Sequence, residues 1–151
     1  MMRRALVIFL LPMLAGCGAR LGTGSSSVEC APYARALTGL QLYGDAADWW
    51  EQADGRYIRA PDPVAGGVLV FRRSSRLPYG HVAVVRAQVS PREIRVDQAN
   101  WVHRRVTHDE AVIDVSPSND WSAVRVWWDP VGAMGSSTYA AYGFILPEAH
   151  R

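Results

Sequence analysis

Apolar positions at Ala46, Trp49, Trp50 and Ala53 fall at helical spacing, which predicts a helix over Asp45 to Ala53 with Asp45 as its cap. Cys30 to Thr38 reads as an earlier helix: Pro32 is tolerated in a first turn and Gly39 supplies a stop. After Asp54-Gly55 the rhythm changes. Pro61-Asp62-Pro63 and Gly66-Gly67 punctuate a loop, and Val68-Leu69-Val70-Phe71 is an unbroken apolar run of strand length. Further strands are predicted over His81 to Arg86, Glu93 to Asn100, Val112 to Val115, Ala123 to Trp128 and Thr138 to Leu146. Helices first, then sequential strands, argue for an α+β fold with an antiparallel β-sheet and against alternating βαβ units.

The amino-terminal residues have a different pattern. Arg3 and Arg4 precede the apolar run Ala5 to Leu11, and small residues follow, as in a secretory signal. The run is too short to span a bilayer comfortably. Leu14-Ala15-Gly16-Cys17 resembles a lipoprotein lipobox, so residues 1–16 are expected to be a cleaved leader and Cys17 a lipidated terminus. The alternative is an ordinary signal cut near Ala15 or Gly16. The Gly- and Ser-rich stretch 18–27 reads as a tether, leaving a single domain from Val28 onward. Acyl chains would anchor that domain to a membrane facing the periplasm, with Gly18 favouring the outer membrane by resemblance to enterobacterial lipoproteins.

Charge and cysteine count narrow the chemistry. The formal charge is +2, and loss of Arg3 and Arg4 with a leader brings it to about zero. Every Lys/Arg position is arginine, but no basic stripe points to nucleic acid. There is no phosphate loop or cofactor motif, so no cofactor is expected. His103, His108 and His150 lack the partners of a zinc site. The chain has two cysteines, and with Cys17 lipidated Cys30 has no intrachain partner. A lone thiol in an oxidising compartment points to chemical use or to burial.

Cys30 opens a helix and His81 opens an apolar strand. Nucleophilic thiol catalysis needs such a thiol, an imidazole and a polar group to orient it. If the strands from His81 and Glu93 pair about a turn centred between Ser90 and Pro91, His81 lies across from Asn100. Alternation then puts Asn100, Gln98, Val96 and Ile94 on one face and Asp97 on the other. Opposed residues have Cβ atoms roughly 5 Å apart. Asn100 is therefore the expected orienter, Gln98 the second candidate, and Asp97 the third, presented by a one-residue slip.

Glu29-Cys30-Ala31-Pro32-Tyr33-Ala34, Pro63 to Phe71, Gly80-His81-Val82-Ala83-Val84-Val85 and Gln98-Ala99-Asn100-Trp101 together resemble the CHAP family, the cysteine, histidine-dependent amidohydrolases/peptidases. The resemblance implies a papain-like fold, with Cys30 as nucleophile and His81 as base. It also implies hydrolysis of amide bonds in peptidoglycan. Many members carry Glu-x-Asn at the third site, where this chain reads Gln98-Ala99-Asn100. A catalytically silent module that binds cell wall or a partner is the alternative. Trp49, Trp50, Trp127 and Trp128 read as packing residues. Arg72, Arg73 and Arg76 read as a solvated loop, with anionic stem-peptide carboxylates as the other reading.

Overall fold

The computed structural model describes residues 28–149. The expected leader, Cys17 and the tether lie outside the described residues. Helix α1 is Cys30–Thr38, and a 3-10 turn over Ala46–Asp48 leads into the one-turn helix α2, Trp49–Gln52. Eight strands follow: β1 Tyr57–Ala60, β2 Val68–Phe71, β3 His81–Ser90, β4 Glu93–Ala99, β5 Val106–Asp114, β6 Ala123–Trp128, β7 Ala133–Met134 and β8 Tyr139–Ala149.

The expected α+β, papain-like fold, with N-terminal helices packed on an antiparallel β-sheet, is corrected here to a mostly β architecture. The two helices are short, nine and four residues. Strands β2, β3, β4, β5, β6 and β8 pair in that order, and β8 pairs again with β2, so six antiparallel strands close into a barrel. The cause is β8, which is long enough to serve several neighbours. Tyr139 and Ala140 pair with β6, Ala141 to Ile145 with β2, and Phe144 onward with β1. Order along the chain reveals sequential hairpins but not that the last strand returns to the first. Closure leaves β1 and β7 as short appended edges.

The unbroken apolar runs follow from burial on both faces of the barrel wall. Val68, Val70, Val82 and Val84 point outward and pack with Ala31, Ala34 and Trp49 from the helical side. Leu69, Phe71, Ala83 and Val85 point inward, among Val96, Val112 and Phe144. Helix α1 is fixed over β3 by its two buried alanines and ends at Gly39, whose positive φ of 75° lets its N–H reach Arg35 O at 2.9 Å. His81 shares the inward parity of Ala83 and Val85, so its ring stands at the mouth of the barrel.

Candidate active site

Gly80 determines how His81 enters the strand. Its φ is +71°, and a Cβ there would lie 2.6 Å from Ala47 Cβ and 2.8 Å from Phe71 O. Only glycine fits both the conformation and the space. The next residue, His81, is 4% exposed. Its ring packs edge-on to Phe71 (centroids 5.4 Å apart) and against Trp101 (5.0 Å).

The polar contacts of the ring form one buried chain. His81 Nε2 lies 2.9 Å from Gln98 Oε1. Gln98 Nε2 donates to Glu110 Oε2 at 2.6 Å, and Thr107 Oγ1 donates to the same oxygen at 2.7 Å. A carboxylate accepts only, so the amide nitrogen of Gln98 must face Glu110 and its oxygen must face His81. That oxygen also only accepts, which assigns the ring proton to Nε2 and leaves Nδ1 with the lone pair. Glu110 Oε1 is buried without a hydrogen-bond partner among the described residues.

Glu110 and Thr107 are three residues apart, a spacing that regular alternation sends to opposite faces. The β4–β5 register shifts between Val96 and Gln98, and Asp109 adopts a φ of 53°. The bulge brings Thr107 round to the interior side, where Glu110 already lies because it pairs with Val96 and shares the inward parity of Val112. Sequence reading missed Glu110 because the strand expected there covers only Val112 to Val115, whereas β5 begins at Val106. The visible signal is the two-residue spacing of Glu110 and Val112, which puts both on one face of a strand.

Cys30 is the first residue of α1 and is partly exposed. It shares a cleft of about 450 Å³ with His81, Asn100 and the Arg76–Gly80 loop. Burial pushes its thiol above its ordinary pKa, and the charge of Glu29 adds to this; backbone hydrogen bonds from Val82 and Ala31 pull the other way. The Val82 contact sets the sulfur beside β3, one residue beyond His81. Among the described residues no hydrogen bond joins thiol to imidazole. Burial lowers the His81 pKa to about 4, against a smaller opposing effect of the Gln98 hydrogen bond. Both groups are thus neutral near pH 7. The resting arrangement is a neutral thiol beside a neutral imidazole, and not a standing thiolate–imidazolium pair.

The three expected orienters go to three different places. Gln98 meets the imidazole. Asn100 has a φ of 61° and turns away; its Nδ2 donates to Glu29 Oε2 at 2.8 Å and its Oδ1 accepts from Arg104 N at 2.7 Å. It ties the residue before the thiol to the β4–β5 loop. Asp97 faces outward, 3.3 Å from His108 Nδ1 and 3.5 Å from Arg86 Nε. Among the described residues no group of His, Cys, Asp and Glu side chains is placed to hold a metal ion.

A family model described as the CHAP domain matches residues 21–100. No curated protein sequence matches the chain. Among solved structures, "The crystal structure of Ly7917" is similar at 14% identity and a TM-score of 0.38, covering 82% of this chain and 89% of that one. "The crystal structure of Ly7917 with the hydrolyzing product of MDP" is similar at 15% identity, with 82% and 90% coverage and the same TM-score of 0.38.

Proposed function

The chain belongs to the CHAP domain family, and on that premise we propose that it is a cysteine hydrolase of peptidoglycan amide bonds, with Cys30 as nucleophile, His81 as base and Gln98 as the residue that orients the imidazole. Membership supports hydrolysis of peptidoglycan in general. The residue roles rest on the shared cleft of Cys30 and His81, together with a ring whose Nε2 is tied to Gln98 and whose Nδ1 is left for the thiol.

The reaction begins when His81 Nδ1 takes the thiol proton and the sulfur attacks the amide carbonyl carbon. Negative charge gathers on the carbonyl oxygen, next to the Cys30 backbone N–H at the start of α1. The carbon–nitrogen bond breaks as Nδ1 returns the proton to the departing amine, leaving a thioester. Water then attacks the thioester, Nδ1 takes the water proton, and the thiol is restored as the carboxylic acid leaves. Gln98 holds one tautomer throughout, as a neutral orienter does in other thiol hydrolases.

Turnover of purified cell wall by the wild type, Cys30→Ala and His81→Ala tests the proposal. Soluble amines or muropeptides should be released by the first alone. Equal release by all three defeats it.

A silent, wall-binding module is the second reading, favoured by the raised thiol pKa and the missing thiol–imidazole bond. The Leu14-Ala15-Gly16-Cys17 sequence supports a further proposal, lipid anchorage at Cys17 on a membrane beside the wall.

A further inference from the structure

The cleft does not end at the imidazole. It continues into a hollow of about 350 Å³ and then another of about 300 Å³. His81 and Asn100 line both the catalytic cleft and the first hollow, while Trp101, Trp128 and Tyr139 line both hollows. Arg76 alone lines all three spaces.

Direction follows from the chemistry. The imidazole protonates the departing nitrogen, so the amine half of the substrate lies on the His81 side. The continuation past Trp101 therefore takes the leaving half and not the acyl half.

Arg76 differs from its neighbours on the β2–β3 loop. Arg73 is neutralised by Asp45 at 2.9 Å and Asp48 at 2.6 Å. Arg72 lies 4.2 Å from the centre of the Tyr142 ring and donates to Ala141 O at 3.3 Å. Arg76 makes no hydrogen bond or ion pair among the described residues. No aspartate or glutamate lines either hollow. In the catalytic cleft, Asp45 is held by Arg73 and Glu29 is bonded to Asn100. The larger cavity of about 610 Å³ beyond β5 is the opposite case, with Arg95 paired to Glu93 at 3.0 Å and Arg105 to Asp129 at 2.9 Å. A guanidinium with no ion pair among the described residues, beside an aromatic-lined groove, suits a carboxylate on a ligand lying along it.

We infer that Arg76 binds a carboxylate on the leaving half of the substrate, so that the amide cut best is one whose released amine is an anionic peptide. This rests on the hydrolase reading of Cys30 and His81 and gives that reading a substrate class.

The test uses the full chain carrying Cys30→Ala, with a synthetic muramoyl tripeptide as probe and the same molecule with every carboxyl converted to carboxamide. Calorimetry should show the acid form binding at least about tenfold more tightly, as charge-assisted hydrogen bonds to arginine predict. Adding Arg76→Gln should remove the difference without weakening the carboxamide form. Equal binding of the two forms, a preference that survives Arg76→Gln, or no binding of either at millimolar concentration overturns the inference. Wild-type protein with the same two probes separates the claims. Arg76-dependent binding without hydrolysis defeats the hydrolase reading and leaves the site; hydrolysis indifferent to the carboxylates defeats the site and leaves the hydrolase.

Discussion

Gln98 donates to Glu110 at 2.6 Å, and this contact decides which end of its amide faces His81. The buried carboxylate thus reaches the imidazole through a neutral relay. The buried negative charge lies one side chain deeper than Gln98, on β5.

Removing the relay should therefore cost turnover in graded steps. Gln98→Ala frees the ring and should lower kcat on the order of 100-fold. Glu110→Gln permits the Gln98 amide to turn over and should cost about tenfold, with KM unchanged. Asn100→Ala, which touches Glu29 and not the ring, should cost less than Gln98→Ala. Steady-state kinetics on a soluble muropeptide gives the ranking; a larger loss at Asn100 than at Gln98 would transfer the orienting role to Asn100.

The pH profile follows from a ring held near 4. The proposed mechanism needs His81 neutral, so kcat/KM should stay level as pH falls through 6.5 and drop only near pH 4 to 5. An acid limb centred at 6.5, the ordinary histidine value, would mean that the ring is solvated in the free enzyme.

The same burial makes stability depend on pH. Protons bind the unfolded histidine at 6.5 and the folded one only at about 4, so between these values the unfolded state carries more protons and stability falls as pH falls. At about 1.4 kcal/mol per pH unit the loss comes to about 3 kcal/mol across that window. Denaturant midpoints at pH 7 and pH 4.5 should diverge in the wild type and converge in His81→Gln.

Cys30 should be a slow thiol. Burial holds it above the ordinary pKa, so alkylation by iodoacetamide at pH 7.4 should run slower than that of free cysteine and accelerate toward alkaline pH. A rate faster than free cysteine, abolished by His81→Ala, would reveal an ion pair and displace the neutral-pair mechanism.

Gly80→Ala should be among the most damaging surface-loop changes. The added methyl meets Ala47 and the Phe71 carbonyl well inside contact distance, on a backbone with positive φ. A loss of about 3 kcal/mol is expected, read as a lower denaturant midpoint at unchanged slope.

The local pattern was legible where burial spoke plainly. Helix Cys30–Thr38 and strands Val68–Phe71 and Ala123–Trp128 stand where the residues put them. The register near the site also agrees: Val84 pairs with Asp97 and Val85 with Val96, as a turn between Ser90 and Pro91 requires. The route to that register is different. Ser90 pairs with Glu93 across a turn at Pro91 and Arg92, and irregularities between Val85 and Ala87 and between Gln88 and Ser90 absorb the offset. Bulges also explain what was hidden. Side-chain parity is readable only while the backbone alternates, and it fails at Asp109, so that Thr107 and Glu110, three residues apart, meet on the interior side. Barrel closure was hidden for another reason, because pairing of β8 with both β6 and β2 leaves no periodic mark on the sequence.

His81 and Gln98 are both mounted on the barrel, whereas the Cys30 thiol rides on α1, outside the ring of strands. A seamless ring offers no hinge of its own, so any change in the sulfur-to-nitrogen gap has to come from the helix shifting bodily across β3. The Asn100–Glu29 contact is the strap across that joint. Through Asn100, the 100–105 loop is thus bonded to the residue that immediately precedes the sulfur.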